Sequence, residues 1–291
     1  MAGNRNKKIT IHNKSDKPDN IVAKENEITM ECEEIESVLP NFLRSFFIYL
    51  RGNVLPMTRL AYLRDIKVFF NYLISETDLT SATEIKEISI KEINEIKAMD
   101  VNLYLDFSRR YKIETDSNIT LARKKSSLSV MFKQLYRDEL VSRNITDGFD
   151  PIRVQKISER EIKALEDDEV LSMLDAVSKG IGLTPHERVY WEKTKKRDKT
   201  ILILFLTYGL RLSELQQLNI SSFNFTREEF KIYRKRGKES TMPLNKSVTK
   251  VIIDYINNER RTDDVLEPSH KDALFLSLQG KRMTQRQIRD L

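Results

Sequence analysis

The stretch from Ile201 to Leu218 constrains this chain more than any other. Ile201 to Leu206 is apolar without a polar face, which predicts a buried helix rather than a surface one. Gly209 follows where a helix C-terminus needs a residue that tolerates positive φ. Leu212, Leu215 and Leu218 then recur at every third position, which starts a second helix with one apolar face. Arg211 is therefore expected at a rigid corner between two packed helices. A guanidinium held that firmly suits phosphate or carboxylate. An ordinary ion pair with Glu214 is the plainer reading, and the corner by itself favours it.

The next segment changes the balance. Phe230–Tyr233 reads as a strand, Arg234–Lys238 as a basic turn, and Ser240–Leu244 as the returning strand with Pro243 at its edge. A hairpin tipped by Arg234, Lys235, Arg236 and Lys238 is either a solvated charge cluster or a phosphate-gripping finger.

Taken together, TYGLRLSEL and YRKRGKESTMPL resemble the first half of the catalytic domain of the tyrosine recombinases, the phage-integrase and Xer family. That family carries A-T-G-L-R-x-S-E-L and then a hairpin of the type G-K-G-x-K-x-R-x-[VI]-P-L. The resemblance implies that Arg211 is the first catalytic arginine and Lys235 the hairpin lysine, a general acid. Glu214 would orient the Arg211 guanidinium, and Arg236 and Lys238 would contact DNA. The sequence departs from the pattern at Tyr208, where Thr is usual, and at Arg234-Lys235-Arg236, which replaces Gly-Lys-Gly. The second departure leaves Lys238 as an alternative to Lys235.

Upstream, residues 1–35 read as a flexible polar arm with room for a short helix. Residues 36–143 read as four helices: Leu39–Leu50, Met57–Glu76 capped by Thr58, Ile88–Arg109 after Ser89, and Ser117–Leu140. Two outward faces look basic. One carries Thr58, Arg59, Tyr62 and Arg64; the other carries Arg123, Lys124, Lys125, Ser127 and Lys133. Composition alone favours an ordinary solvated surface. However, MTRLAYLRDI and ARKKSSLSVMFKQLYR resemble the family's core-binding domain, a SAM-like four-helix unit. That resemblance implies DNA contacts by Thr58, Arg59, Tyr62, Arg123 and Lys124, although Tyr62 also suits core packing.

Residues 144–163, with Pro151, read as the linker, and residues 164–291 as an incomplete α+β catalytic domain with a small hairpin. Gly180–Lys196 looks like a polar insertion, with Trp191 expected under the preceding helix. The expected fold class is thus mainly α.

A net charge of +6 favours a polyanionic partner. The single cysteine, Cys32, rules out an internal disulfide and a cysteine-based zinc cluster. No stretch approaches the roughly 18 apolar residues of a membrane span. A cytoplasmic protein is expected, with no metal and no cofactor.

The family's chemistry also needs His-x-x-Arg, a further His or Trp, and a nucleophilic tyrosine. His12, His186 and His270 lack an arginine three residues on, and Tyr255 reads as core. No nucleophile is assigned in this chain, and a fragment of a longer recombinase is expected. The function expected is site-specific DNA recombination through a 3′-phosphotyrosyl intermediate, on double-stranded DNA, by a homo-oligomer, a tetramer on paired sites. The alternative is a truncated recombinase that binds DNA without cutting it, as a regulator or competitor.

Overall fold

The computed structural model describes residues 17–110, 117–154, 164–234, 238–261, 265 and 267–291. Its contacts divide the chain into two units: Ala23–Ile162, and Lys163–Leu291 with Met1–Val22.

The first unit is helical among the described residues. Its helices are α1 (Asp19–Val38), α2 (Arg44–Asn53), α3 (Pro56–Glu76), α4 (Ile90–Glu95), α5 (Ala98–Arg110) and α6 (Asn118–Arg137). Pro56 opens α3 at its first turn, where the missing N–H costs nothing. Thr58 is therefore inside the helix, and the expectation of a Thr58 cap is corrected. The expected third helix divides into α4 and α5; Ser89 and Glu92 form a reciprocal capping box at the start of α4. Ser117 caps α6 by accepting the Thr120 N–H. Helix α6 packs on α3 and α5. At that junction Phe69 meets Tyr104 at 5.1 Å and Phe132 at 6.4 Å, both edge-on. Rings buried this completely contribute about 1.5–3 kcal/mol each.

Two boundaries differ from expectation. The arm expected over 1–35 gives way to α1 from Asp19 onward. Ile28, Cys32, Ile35 and Leu39 recur at helical spacing and are buried in the first core. The acidic residues between them had hidden this stripe. The linker expected over 144–163 also begins as packed structure. Ile145 and Phe149 are buried in that same core. At Gly148 a Cβ would lie 2.6 Å from that of Ala98, so only glycine fits there. Residues 155–163 lie outside the described set.

The second unit contains α7 (Asp167–Lys179), α8 (Pro185–Trp191), α9 (Lys195–Tyr208), α10 (Leu212–Gln216), α11 (Lys246–Asn258) and α12 (Gln285–Arg289). It also holds β1 (Phe223–Asn224), β2 (Glu229–Arg234) and β3 (Lys238–Pro243), an antiparallel sheet in the order β1-β2-β3. The segment read as an insertion contains α8. Trp191 at its end donates through Nε1 to the Val177 carbonyl at 2.7 Å, so the indole seats on α7. Helix α9 packs against α7 and α11. Its first N–H groups, those of Lys196 and Arg197, each donate to the Glu259 carboxylate at 2.8 Å. That carboxylate satisfies donors that a helix start leaves unpaired. Ile201, Leu204, Leu215, Phe230, Ile232 and Ile252 form one buried core. The molecule is mainly α with one small sheet.

Candidate functional site

The corner forms as the residues require. Gly209 ends α9 at φ 57°, and its N–H donates to the Phe205 carbonyl at 2.9 Å. Two residues later Arg211 is extended, at φ −71° and ψ 150°, and stands at the N-cap of α10. Glu214 accepts the Arg211 main-chain N–H at 2.9 Å and the guanidinium Nη1 at 2.8 Å. The Glu214 side chain is 5% exposed and that of Arg211 is 68% exposed. A buried carboxylate thus holds one edge of a guanidinium whose remaining donors face outward.

The other end of α10 is held by a residue that sequence reading missed. Arg282 donates to the carbonyls of Gln216 and Leu218 at 3.1 and 2.9 Å, and to Asn219 Oδ1. Cations complement the negative end of a helix. Burial lowers the Arg282 guanidinium to about 10. Arg260 plays a similar part, donating to the carbonyls of Lys271 and Ala273 at 2.6 and 2.8 Å. Both arginines fall outside any motif, so only packing could reveal them.

The hairpin presents two chemically different faces. Register pairs Phe230 with Met242, Ile232 with Ser240, and Arg234 with Lys238. Because side chains alternate, Arg234 and Lys238 share the face of the buried Phe230 and Ile232. Helix α10 packs against this strand, β2. On the opposite face Glu239 bridges Lys231 at 2.7 Å and accepts from the Tyr233 hydroxyl at 2.7 Å. The hydrogen bond to Glu239 raises the Lys231 ammonium, and the bond from Lys231 lowers the Glu239 carboxyl. Charge on that face is internally compensated, while the core-side face carries the exposed cations Arg234 and Lys238 at its end. Lys235 and Arg236 lie outside the described residues.

The basic faces expected on the first unit need correction. Arg59 is almost fully buried and donates twice to Glu36 Oε1, at 2.9 and 2.7 Å. Lys124 is 3% exposed, with its Nζ 5.6 Å above the Tyr104 ring. Ser127 is also buried, donating to Asp65 Oδ2 at 2.7 Å. Arg123 is exposed but paired with the same carboxylate. Lys125 donates to the Asp150 carbonyl at 2.7 Å. Thr58 and Tyr62 are half-buried, Tyr62 against the first core. Outward placement therefore fails for Arg59, Lys124 and Ser127. The reason is pattern: α3 and α6 each pack a wide face, and their polar residues close internal ion pairs.

Residues 163–291 match the model of the phage integrase family. The tyrosine recombinase XerC of Caldanaerobacter subterraneus subsp. tengcongensis is 28% identical over 269 residues, covering 90% of this chain and 69% of the relative. XerS of Streptococcus thermophilus is 25% identical over 250 residues, covering 78% of this chain and 70% of the relative. Residues 163–291 belong to the phage integrase family, and the chain as a whole is similar to tyrosine recombinases.

Recombinase structures share its fold. The Tn1549 transposon integrase in complex with circular intermediate DNA gives a TM-score of 0.52 at 18% identity, over 87% of this chain and 73% of that one. A lambda integrase dimer bound to a core site gives 0.51 at 15% identity, over 85% and 76%. The part matched by the family model spans both sequence motifs.

Proposed function

We propose that this chain supplies a duplex-binding unit and active-site residues of a site-specific DNA recombinase. The observation that carries the reading is Arg211: exposed, held by a buried carboxylate, and flanked by Leu210 and Leu212, which pack in the same core as Phe230 and Ile232 of the basic hairpin.

In the reaction, a tyrosine hydroxyl attacks a backbone phosphodiester. A 3′-phosphotyrosyl bond forms as the bond to the 5′-oxygen breaks. The pentavalent transition state gathers negative charge on its non-bridging oxygens, and a fixed guanidinium stabilises that charge without reorganising. Arg211 takes this role. The departing 5′-oxygen needs a proton, and Lys235 on the hairpin donates it. Lys238 and Arg236 hold flanking phosphates. The attacking tyrosine is not assigned among residues 1–291. The covalent link conserves the energy of the broken bond, so the strand can be rejoined without an external energy source.

Duplex DNA is the partner and recombination on paired sites by a homo-oligomer the setting, which places the protein in the cytoplasm. No described helix is long and apolar enough to cross a membrane.

In a recombinase carrying this chain, Arg211→Ala should abolish strand cleavage and leave duplex binding within about threefold, since one phosphate contact among many is lost. Lys235→Ala should cleave again when the substrate carries an activated 5′ leaving group. Normal cleavage by Arg211→Ala would remove this arginine from the chemistry.

A further inference from the structure

Tyr208 is the last residue of α9, three positions before Arg211, and it stands where the resembled pattern has a threonine. A tyrosine reaches farther, and it makes two contacts. Its ring meets Phe230 of β2 edge-on, with centroids 4.9 Å apart. Its hydroxyl accepts the Asn245 main-chain N–H at 2.9 Å. Asn245 is the residue from which α11 begins, just after β3 ends at Pro243. One side chain therefore touches the strand entering the hairpin and the segment leaving it. Both contacts originate on the helix that delivers Arg211.

The base of a hairpin is where its aim is decided. Phe230 lies four residues before the last described residue of β2, Arg234, and strands rise roughly 3.3 Å per residue, a lever of about 13 Å. A tilt of about 10° at the base therefore moves the tip by about 2 Å over that length. Misplacement of about 1 Å can cost a reaction around a hundredfold.

We infer that Tyr208 is a positioning residue that fixes the Arg211 corner relative to the basic hairpin, so that guanidinium and hairpin ammonium meet one phosphate together. The inference rests on the recombinase reading of that site.

The test is a double-mutant cycle on the affinity of the purified chain for duplex DNA, run in two backgrounds. One arm is Arg211→Ala, and the other strips the hairpin with Lys235→Ala and Lys238→Ala. In the natural background the two losses should be coupled by about twofold to threefold, at the low end for groups sharing one network. In the Tyr208→Phe background, which keeps the ring but loses the hydroxyl acceptor, coupling should fall to about onefold, within the additivity of independent sites. Tyr208→Thr should do the same by removing both contacts, and the thermal midpoints of the variants show that each remains folded. Unchanged coupling with Tyr208→Phe and Tyr208→Thr would overturn the positioning role and leave the recombinase reading standing. Absence of coupling in the natural background would instead overturn the shared-phosphate reading, and the role of Tyr208 with it.

Discussion

Glu214 meets Arg211 at both ends of the residue, accepting its main-chain N–H at 2.9 Å and its guanidinium at 2.8 Å. A single carboxylate thereby caps a five-residue helix and aims the exposed side chain at its start. Capping alone would be satisfied by many residues; the second contact gives the helix start a direction.

Glu214→Gln keeps the size and one acceptor oxygen but removes the charge that draws in the guanidinium. Charge-assisted hydrogen bonds are about twice as strong as neutral ones. Strand cleavage by the recombinase should therefore slow by about tenfold to a hundredfold, as expected for slight misplacement of a transition-state contact. Duplex affinity should stay within about twofold, because the arginine remains present to meet a phosphate. Equal losses in both measurements would reassign Glu214 to folding alone.

Arg59 and Glu36 offer a test of the corrected first unit. Both side chains are nearly excluded from solvent, and Arg51 reaches the same carboxylate. Removing Arg59 leaves the Glu36 carboxylate to the half-exposed Arg51 alone, so the loss should fall toward the low end of the about 3–5 kcal/mol for breaking a buried pair. Arg59→Ala should show that loss in urea unfolding. Arg59→Met with Glu36→Leu should recover most of it, since a well-packed apolar pair avoids the desolvation cost. A stable Arg59→Ala with weakened DNA binding would restore the outward reading.

The Glu92 carboxyl gives a pH signature. The Ser89 N–H above all, joined by the Ser89 and Thr80 hydroxyls and the Ser81 N–H, holds it down at about 2 against the opposing effect of burial. A carboxyl depressed in the folded state contributes stability above its unfolded value and loses it as pH falls through its folded value. The stability difference between the natural chain and Glu92→Gln should thus be full at neutral pH, shrink below about 4.3 and vanish near about 2. Because the group is only half-buried and solvent screens it, the difference at pH 7 should be modest. A pH-independent difference between the two would show that the capping hydrogen bonds do not depend on ionisation.

How much of this was legible in the residues follows from what each signal depends on. The Arg211 corner was readable because an apolar helix, a glycine and a leucine stripe are local patterns. The hairpin was readable because its strands and turn are contiguous. The arm and linker were misjudged where a stripe of buried residues was diluted by acidic neighbours, as around Cys32, or too short to show a period, as at Ile145 and Phe149. The burial of Arg59 and Lys124 was illegible for another reason. A cation on a helix reads as exposed until the partner carboxylate or ring, here Glu36 or Tyr104, is known to lie across the fold. Arg282 belongs to the same class, since its acceptors are backbone oxygens more than sixty residues earlier.

Strand β3 is an outer strand of its sheet among the described residues, and its sequence is KESTMP. An unpaired outer strand invites a second chain to extend the ladder, and lysine, glutamate and proline are the residues that discourage it. Copies crowded together along one nucleic acid would bring such borders close at high local concentration. The make-up of β3 thus guards against fusion of its sheet with another.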